Sequence, residues 1–266
     1  MEDIQAEAEM LAARGTKELM IIAQDVTAYG KDIYGRLALP ELLHGLCAVD
    51  GIEWIRLLYC YEDSITDELI ETIRSEEKIC KYIDIPLQHI SDRILTNMNR
   101  HSTSESIKTT LKKLRERIPG MHIRTTFIAG FPGETDEDFN ELADFIEEQK
   151  FDRLGVFAYS REEGTPAAEM PDQVDEEIKE QRRDEIMAIQ REISLGCNIS
   201  KVGRTLRVLV EEHCEDGTYM GRTEYDAPDI DDGVIFTSDA ELETGTFVNV
   251  EITDAFDYDL TGKAVL

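Results

Sequence analysis

The sequence predicts an α/β protein: a parallel sheet built from alternating strands and helices, followed by a small antiparallel β-barrel. Three observations predict it. Over the first two-thirds of the 266 residues, short apolar runs alternate with stretches of helical periodicity, the signature of right-handed crossovers between parallel strands. A long charged segment with helical spacing (175–199) comes next. From Ser200 the texture changes to short alternating runs separated by turn residues, which suits a small barrel. The expected division is 1–199 for the sheet unit with its connecting helix, and 200–266 for the barrel.

Residues 2–14 carry Ile4, Ala8, Leu11 and Ala12 at helical spacing, and Gly15 closes the helix. ELMIIA (18–23) is a continuous apolar run of the kind a buried parallel strand needs. Leu39 to Cys47 is helical, with Leu42, Leu43 and Leu46 on one side, and IEWIRLLY (52–59) is the next strand. Thr66 caps the following helix, with Ile65 and Ile70 at the staple positions and Asp67 and Glu68 at the positive helix end. YIDIPL (82–87) reads as a strand that ends at its proline. Ser102 with Glu105 makes a capping box before the stripe Ile107, Leu111, Leu114 and Ile118. MHIRTTFIAG (121–130) is a strand, Thr135 caps a helix with Phe139, Leu142, Phe145 and Ile146 inward, and FDRLGVFAYS (151–160) closes the series. In the long helix Ile178, Ile186, Ile189 and Ile193 form the expected packed side. The barrel strands are expected over 205–212, 218–224, 234–238, 246–256 and 260–266.

The charge excludes more than it proves. With 57 acidic against 28 basic side chains, the net charge is −29, so unaided binding to nucleic acid or to an anionic membrane surface is disfavoured. Within 200–266 there are 16 acidic and 5 basic side chains, net −11, which steers a basic protein partner toward the barrel. No apolar run reaches about 18 residues, and the acidic N-terminus lacks the basic-then-apolar order of a signal peptide. The five cysteines (Cys47, Cys60, Cys80, Cys197 and Cys214) match no zinc or iron–sulfur spacing, and reduced thiols in a cytoplasmic protein are the plain reading. No metal site is expected among them.

Parallel sheets bind ligands at the carboxyl ends of their strands, so the informative residues follow Ala23, Tyr59, Pro86, Ala129 and Ala158. In GFPGETDEDF (130–139), Pro132 and Gly133 suit the centre of a type II turn. Gly130 and Gly133 let backbone approach a ligand, although a turn plus a capped helix explains the same residues. In DIPLQHISDRILTNMNR (84–100), Gln88 offers donors and an acceptor, while a lone His89 is more often a hydrogen-bonded structural histidine. Gln24 and Asp25 follow the first strand, and Tyr159 and Ser160 the last. Neither a nucleophile–base constellation nor a metal-spaced cluster supports an ordinary hydrolase.

Taken in order, these pieces resemble the radical S-adenosylmethionine (SAM) methylthiotransferase family. The matching stretches are AQDVTAYG (23–30), YIDIPLQHISDRILTNMNR (82–100), RTTFIAGFPGETDEDF (124–139), DRLGVFAYSREEGTPAAEM (152–170) and GRTEYDAPDIDDGVIF (221–236). The last lies in a barrel that looks like a TRAM domain. The combination is most similar to the RimO type, which modifies an aspartate of the twelfth protein of the small ribosomal subunit. The tRNA-modifying MiaB type would show a PVQSGS-like stretch in place of PLQHIS (86–91).

The resemblance implies a partial radical-SAM (TIM-like) parallel barrel followed by a TRAM-like barrel. It implies SAM and [4Fe-4S] clusters as cofactors of the parent protein. The family's CxxxCxxC motif is absent from this sequence. The chain is therefore expected to be a fragment beginning after the first barrel strand. As given, it should bind no cluster, be inactive, and leave the strand at Glu18 with an unpaired edge. The resemblance places Gln24, Gln88, Arg124, Gly130, Pro132, Gly133 and Tyr159 around SAM, with Arg124 toward its carboxylate. It assigns no catalytic acid, base or nucleophile. The loop acids Asp226, Asp229, Asp231 and Asp232 are expected to meet the basic ribosomal protein, and tRNA is disfavoured by the barrel's charge. The alternatives are a MiaB-type tRNA enzyme and an acidic protein-binding module without chemistry.

Overall fold

A computed structural model of the chain describes residues 1–215 and 217–265. Strands β1 (Glu18–Ile21), β2 (Trp54–Leu57), β3 (Ile79–Gln88), β4 (His122–Ala129) and β5 (Arg153–Ala158) form a sheet in that spatial order, with every neighbouring pair parallel. The sheet is open, with β1 and β5 at its edges among the described residues. Helix α1 (Glu2–Ala13) precedes β1; α2 (Leu39–Cys47), α3 (Asp67–Ser75), α4 (Asp92–Asn97), α5 (Ser104–Arg117) and α6 (Asp136–Gln149) occupy the crossovers, and α7 (Glu176–Ile199) follows β5.

Alternation along the strands sorts the two faces. Leu19, Ile55, Leu57, Ile83, Ile123, Phe127 and Val156 pack against Leu43, Ile70, Leu111, Leu142 and Ile146 of the helices in one continuous core. Each such side chain contributes about 1.5–3 kcal/mol on burial. The residues between them, Trp54, Arg56, Tyr82, Asp84, Arg124 and Arg153, point to the other face. That face is large and charged, and the second domain covers its amino-terminal half.

The second domain is a closed barrel of β6 (Thr205–His213), β7 (Tyr219–Thr223), β8 (Val234–Thr237), β9 (Phe247–Ala255) and β10 (Leu260–Val265), ordered β10-β8-β7-β6-β9. Val208, Val210, Tyr219, Val234, Phe236, Val250, Ile252 and Leu260 fill it. It is not wholly antiparallel: β8 and β10 pair in parallel and close the ring. It seats on the sheet through Leu209, Ala227 and Phe247, which pack with Trp54, Leu58, Cys80 and Tyr82, the Trp54 and Phe247 rings meeting edge-on at 4.7 Å.

Local expectations shift where backbone polarity has the last word. The capping box before α5 is Thr103 with Ser106, one residue past Ser102 and Glu105, because Thr103 has the extended backbone from which its hydroxyl reaches the Ser106 N–H. Pro86 does not end β3, which continues to Gln88. A register shift between Ile85 and Gln88 accommodates the missing N–H, and the Pro86 carbonyl accepts from Arg100. Thr66 caps α3 as expected, accepting from the Leu69 N–H at 3.1 Å. In α7 Ile178 is exposed, and the buried stripe is Lys179, Arg182, Ile186, Gln190, Ser194 and Asn198, mostly polar. No helix among the described residues is long and apolar enough to cross a membrane.

Candidate functional site

The small barrel leaves the carboxyl ends of the strands open. Met20 (45%), Ile22 (60%), Tyr59 (45%) and Phe157 (64%) are exposed there, although apolar side chains on a sheet are normally covered. The loops after the strands are tied to one another from beneath. Asp25 Oδ1 accepts from Thr27 Oγ1 and from the Ala28 N–H, which sets the turn after β1. Thr27 Oγ1 in turn accepts from the Tyr61 N–H at 3.1 Å, and the Val26 N–H donates to the Tyr59 carbonyl at 3.2 Å. A cleft of about 960 Å³ runs along this edge, between β1, α1 and α2. Glu7, Gln24, Asp25, Tyr29, Lys31, Asp32 and Tyr61 provide its polar lining.

The loops after β3 and β4 share a buried polar knot. His89 is fully buried, and its Nδ1 accepts from the Ser91 N–H at 3.0 Å. The ring proton therefore sits on Nε2, which faces Glu134 Oε2 at 3.3 Å. Glu134, also buried, accepts from the Gly130 N–H at 2.9 Å and from Arg182 of α7 at 2.8 Å. His89 Nε2 makes no hydrogen bond among the described residues; the two loops are tied by the bond that Ser91 Oγ donates to Asp138 Oδ1 at 2.6 Å.

The GFPG segment forms the expected turn. The Glu134 N–H returns to the Phe131 carbonyl at 2.9 Å, with Gly133 at φ +84°. The Gly133 N–H donates to the Asp172 carbonyl at 2.8 Å, and its own carbonyl accepts from Arg93 at 2.8 Å. Gly130 has φ +74°, and a Cβ there would lie 2.3 Å from Lys179 Cγ. What approaches Gly130 is thus the buried Lys179 of α7. Tyr159 is buried beside this loop, its ring 5.2 Å from that of Phe131 and 5.2 Å from Lys179 Nζ. The Tyr159 hydroxyl is buried without a hydrogen-bond partner among the described residues.

Thr135 caps α6 in a reciprocal box with Asp138. Burial opposes the Asp138 charge, but hydrogen bonds from Ser91, Thr135 and Arg93 outweigh it and lower its pKa to about 2. A carboxylate with a depressed folded pKa stabilises the fold above its unfolded pKa and loses that contribution as pH falls through the folded one. Unfolding free energy should accordingly fall by about 1–2 kcal/mol between pH 4 and 2 on account of Asp138, after discounting the solvent-exposed Arg93. Asp138→Asn should flatten that segment of the pH–stability curve, as denaturant titrations would register. An unchanged slope in the variant would refute the assignment.

Two sets of the expected residues have partners within the chain. Arg124 lies in the first half of β4, away from the Gly130 loop, and its guanidinium is engaged by Asp84 at 2.8 Å and Asp231 at 3.4 Å. Of the four loop acids Asp229 is exposed, Asp231 and Asp232 are half-buried, and Asp226 is buried. Asp226 is buried against Arg153 at 2.9 Å, and Asp231 accepts from the Tyr82 hydroxyl at 2.7 Å. The loop turns inward because the sheet presents uncompensated cations there. Arg56 makes the same point: it is buried between Glu18, at 2.8 Å, and the Glu224 carbonyl, at 2.8 Å.

Gln24, Gly130, Pro132, Gly133 and Tyr159 lie on the loops at the carboxyl ends of the strands, and Gln88 is the last residue of β3. Gln88, half-buried at the end of β3, has φ +70°. Sequence reasoning missed Lys179, Arg182, Gln190, Ser194 and Asn198. With Ile186 they recur every three to four residues along α7, but polar side chains at that spacing ordinarily mark a solvated face.

Residues 1–146 match the model of the radical SAM superfamily, and residues 202–265 match that of the TRAM domain. The chain is 53% identical over 264 residues to ribosomal protein uS12 methylthiotransferase RimO of Clostridioides difficile, covering 99% of this chain and 60% of that protein. It is 54% identical over 268 residues to the protein of the same name from Pelotomaculum thermopropionicum, again covering 60% of it. The chain thus spans about 60% of the length of these relatives. Among solved structures it is similar in fold to coproporphyrinogen III oxidase (HemN) of Escherichia coli, a radical SAM enzyme, with TM-score 0.56 and 19% identity over 72% of this chain and 46% of that one.

Proposed function

We infer the function from one premise: the chain belongs to the radical SAM superfamily. It is the sheet-and-barrel portion of a methylthiotransferase that modifies an aspartate side chain of ribosomal protein uS12. The observation that carries this reading is about 50% identity to RimO proteins over nearly the whole chain, through both domains. The stretch PLQHIS agrees with the protein-modifying branch.

In the parent, SAM with a reduced [4Fe-4S] cluster would supply hydrogen abstraction from an unactivated carbon and the methyl group. The cluster itself does not fit this chain. Such a cluster takes closely spaced thiolates. Here Cys60 and Cys80 are buried on the sheet, and among the described residues no group of three His, Cys, Asp or Glu is placed to hold a metal. What this chain offers SAM is the rim of the sheet. Gln24 supplies an amide in the cleft beside β1, and Gln88 another at the end of β3. Gly130, Pro132 and Gly133 shape the loop beside them, and the Tyr159 hydroxyl is left without a hydrogen-bond partner among the described residues.

The protein substrate meets the second domain. With Asp226 and Asp231 turned inward, the barrel still exposes Glu212, Glu215, Asp229, Asp239, Glu241, Glu243, Glu251 and Asp254. That surface suits a basic ribosomal protein and opposes RNA. A ribosomal-protein substrate supports a cytoplasmic parent.

Deletion of the gene that encodes the parent, followed by mass spectrometry of ribosomal proteins and of tRNA nucleosides, tests the reading. The methylthio increment should vanish from the uS12 aspartate and remain in tRNA. Loss from tRNA with uS12 unchanged would assign the protein to the RNA branch instead.

A further inference from the structure

A line of charged groups runs from the small barrel to the open end of the sheet. It begins at Asp231, whose Oδ2 accepts from the Tyr82 hydroxyl at 2.7 Å and from the Ala227 N–H at 2.9 Å. The other oxygen, Oδ1, lies 3.4 Å from Arg124 Nε. Arg124 Nη1 donates to Asp84 Oδ1 at 2.8 Å, and Asp84 Oδ2 accepts from the Tyr59 N–H at 3.1 Å.

The line ends at a strained residue. Tyr59, just past β2, has φ +55° and an exposed ring. The left-handed conformation costs a non-glycine residue roughly 1–2 kcal/mol and persists only where the surroundings hold it. Two contacts hold this one: the Asp84 carboxylate on its N–H, and the Val26 N–H on its carbonyl. The following Cys60 N–H is also fixed, at 2.9 Å from the Asp84 carbonyl. The Asp84 carboxylate is therefore the side-chain anchor of the turn, and Arg124 is what orients it. Arg124 is itself oriented by Asp231, a residue of the other domain. Burial works against the Arg124 charge, and Asp84, Tyr82 and Asp231 together more than offset it. Without Asp231 the guanidinium loses one of its two carboxylate partners and is free to turn, and the Asp84 carboxylate loses its fixed donor.

We propose that Asp231 is a positioning residue. By way of Arg124 and Asp84 it keeps Tyr59 in the left-handed conformation, so that the seating of the small barrel sets the shape of the open strand ends. The Tyr59 ring, with Met20, Ile22 and Phe157, is part of the apolar surface there, and a change in its backbone would swing it away. This coupling goes beyond the reaction assigned above and stands or falls without any substrate.

Amide exchange on the whole 266-residue chain, read by mass spectrometry or nuclear magnetic resonance, tests it. In Asp231→Asn the Tyr59 and Cys60 amides should exchange about tenfold faster, because their opening no longer breaks a braced contact. The single tryptophan, Trp54, sits against Phe247 at the domain contact, and its emission should stay unchanged. Asp231→Glu should slow the exchange again, since the carboxylate is kept. Asp84→Asn should match or exceed the effect of Asp231→Asn. Arg124→Lys, which keeps the charge but not the two-sided bridge, serves as the second variant should Asp231→Asn not fold, and the same acceleration is expected of it. The proposal is overturned if the Tyr59 amide in Asp231→Asn, or in that substitute, exchanges as in the wild type. It is equally overturned if the acceleration comes with a shift in Trp54 emission, because the barrel has then simply come away.

Discussion

Replacing Asp226 by asparagine should lower the unfolding free energy by about 3–5 kcal/mol, the usual cost of removing one partner from a buried ion pair. The geometry is severe. Asp226 is 2% exposed, pairs with Arg153 at 2.9 Å, and accepts from the Thr223 N–H at 3.2 Å and its hydroxyl at 2.6 Å. Arg153 and Lys201 are buried nearby. Burial opposes the Asp226 charge, yet Arg153, Lys201 and Thr223 keep its pKa below the usual carboxylate value. Asparagine preserves the shape and deletes the charge, which leaves two buried cations with too few anions.

The loss should also depend on pH. Burial already pulls the Lys201 pKa below its ordinary value, and removal of Asp226 should pull it further. A lysine with a depressed folded pKa gives the unfolded state the greater proton uptake between the two pKa values, so stability rises with pH across that window. The variant should therefore recover part of its deficit toward pH 10. Urea titrations at neutral and alkaline pH read both effects. A variant within 1 kcal/mol of the wild type at neutral pH would mean that the Arg153–Asp226 pair does not hold the domains together.

Gly130→Ala should cost about 2–5 kcal/mol, from two causes that add. The backbone at φ +74° disfavours any L side chain by roughly 1–2 kcal/mol. The new methyl would also meet Lys179 Cγ at 2.3 Å and Lys179 Cβ at 3.0 Å, overpacking a closed site at a further 1–3 kcal/mol. Gly15→Ala isolates the first cause. Its φ is +96° and nothing lies within 4 Å of the added Cβ, so it should cost only about 1 kcal/mol. Thermal unfolding of the two variants side by side separates the causes. Equal losses would show that Lys179 yields freely. If they differ, the deficit at Gly130 belongs to the contact between the strand-end loop and α7. Lys179 is fixed from its other side by Glu176, at 2.6 Å, which limits how far it retreats.

Much of this molecule is legible locally. The helix-facing side of the sheet announces itself in apolar runs such as ELMI and in the stripe Ile107, Leu111 and Leu114, because burial of that face needs nothing beyond the strand's own neighbours. The caps at Thr66 and Thr135 follow from one hydroxyl and one backbone N–H three residues on. The Pro132–Gly133 turn follows from the φ each residue prefers. The strand ends that carry Gln24, Gln88 and Tyr159 are equally local, since chain direction in a parallel sheet decides them.

Tertiary structure decides where the charges go. In the sequence, Asp226, Asp229, Asp231 and Asp232 form one acidic run, and nothing local distinguishes the two that turn inward. Their partners Arg153, Arg124 and Tyr82 stand from 73 to 149 residues away in the chain. The polar stripe of α7 is hidden for the same reason. Lys179, Arg182 and Gln190 are tolerable inside only because Glu176, Glu134 and the Phe151 carbonyl are brought to them. Apolar burial is recorded in the residue itself, since water rejects it wherever it lies. Burial of a charge is a property of a pair, and only the folded chain says which pairs exist.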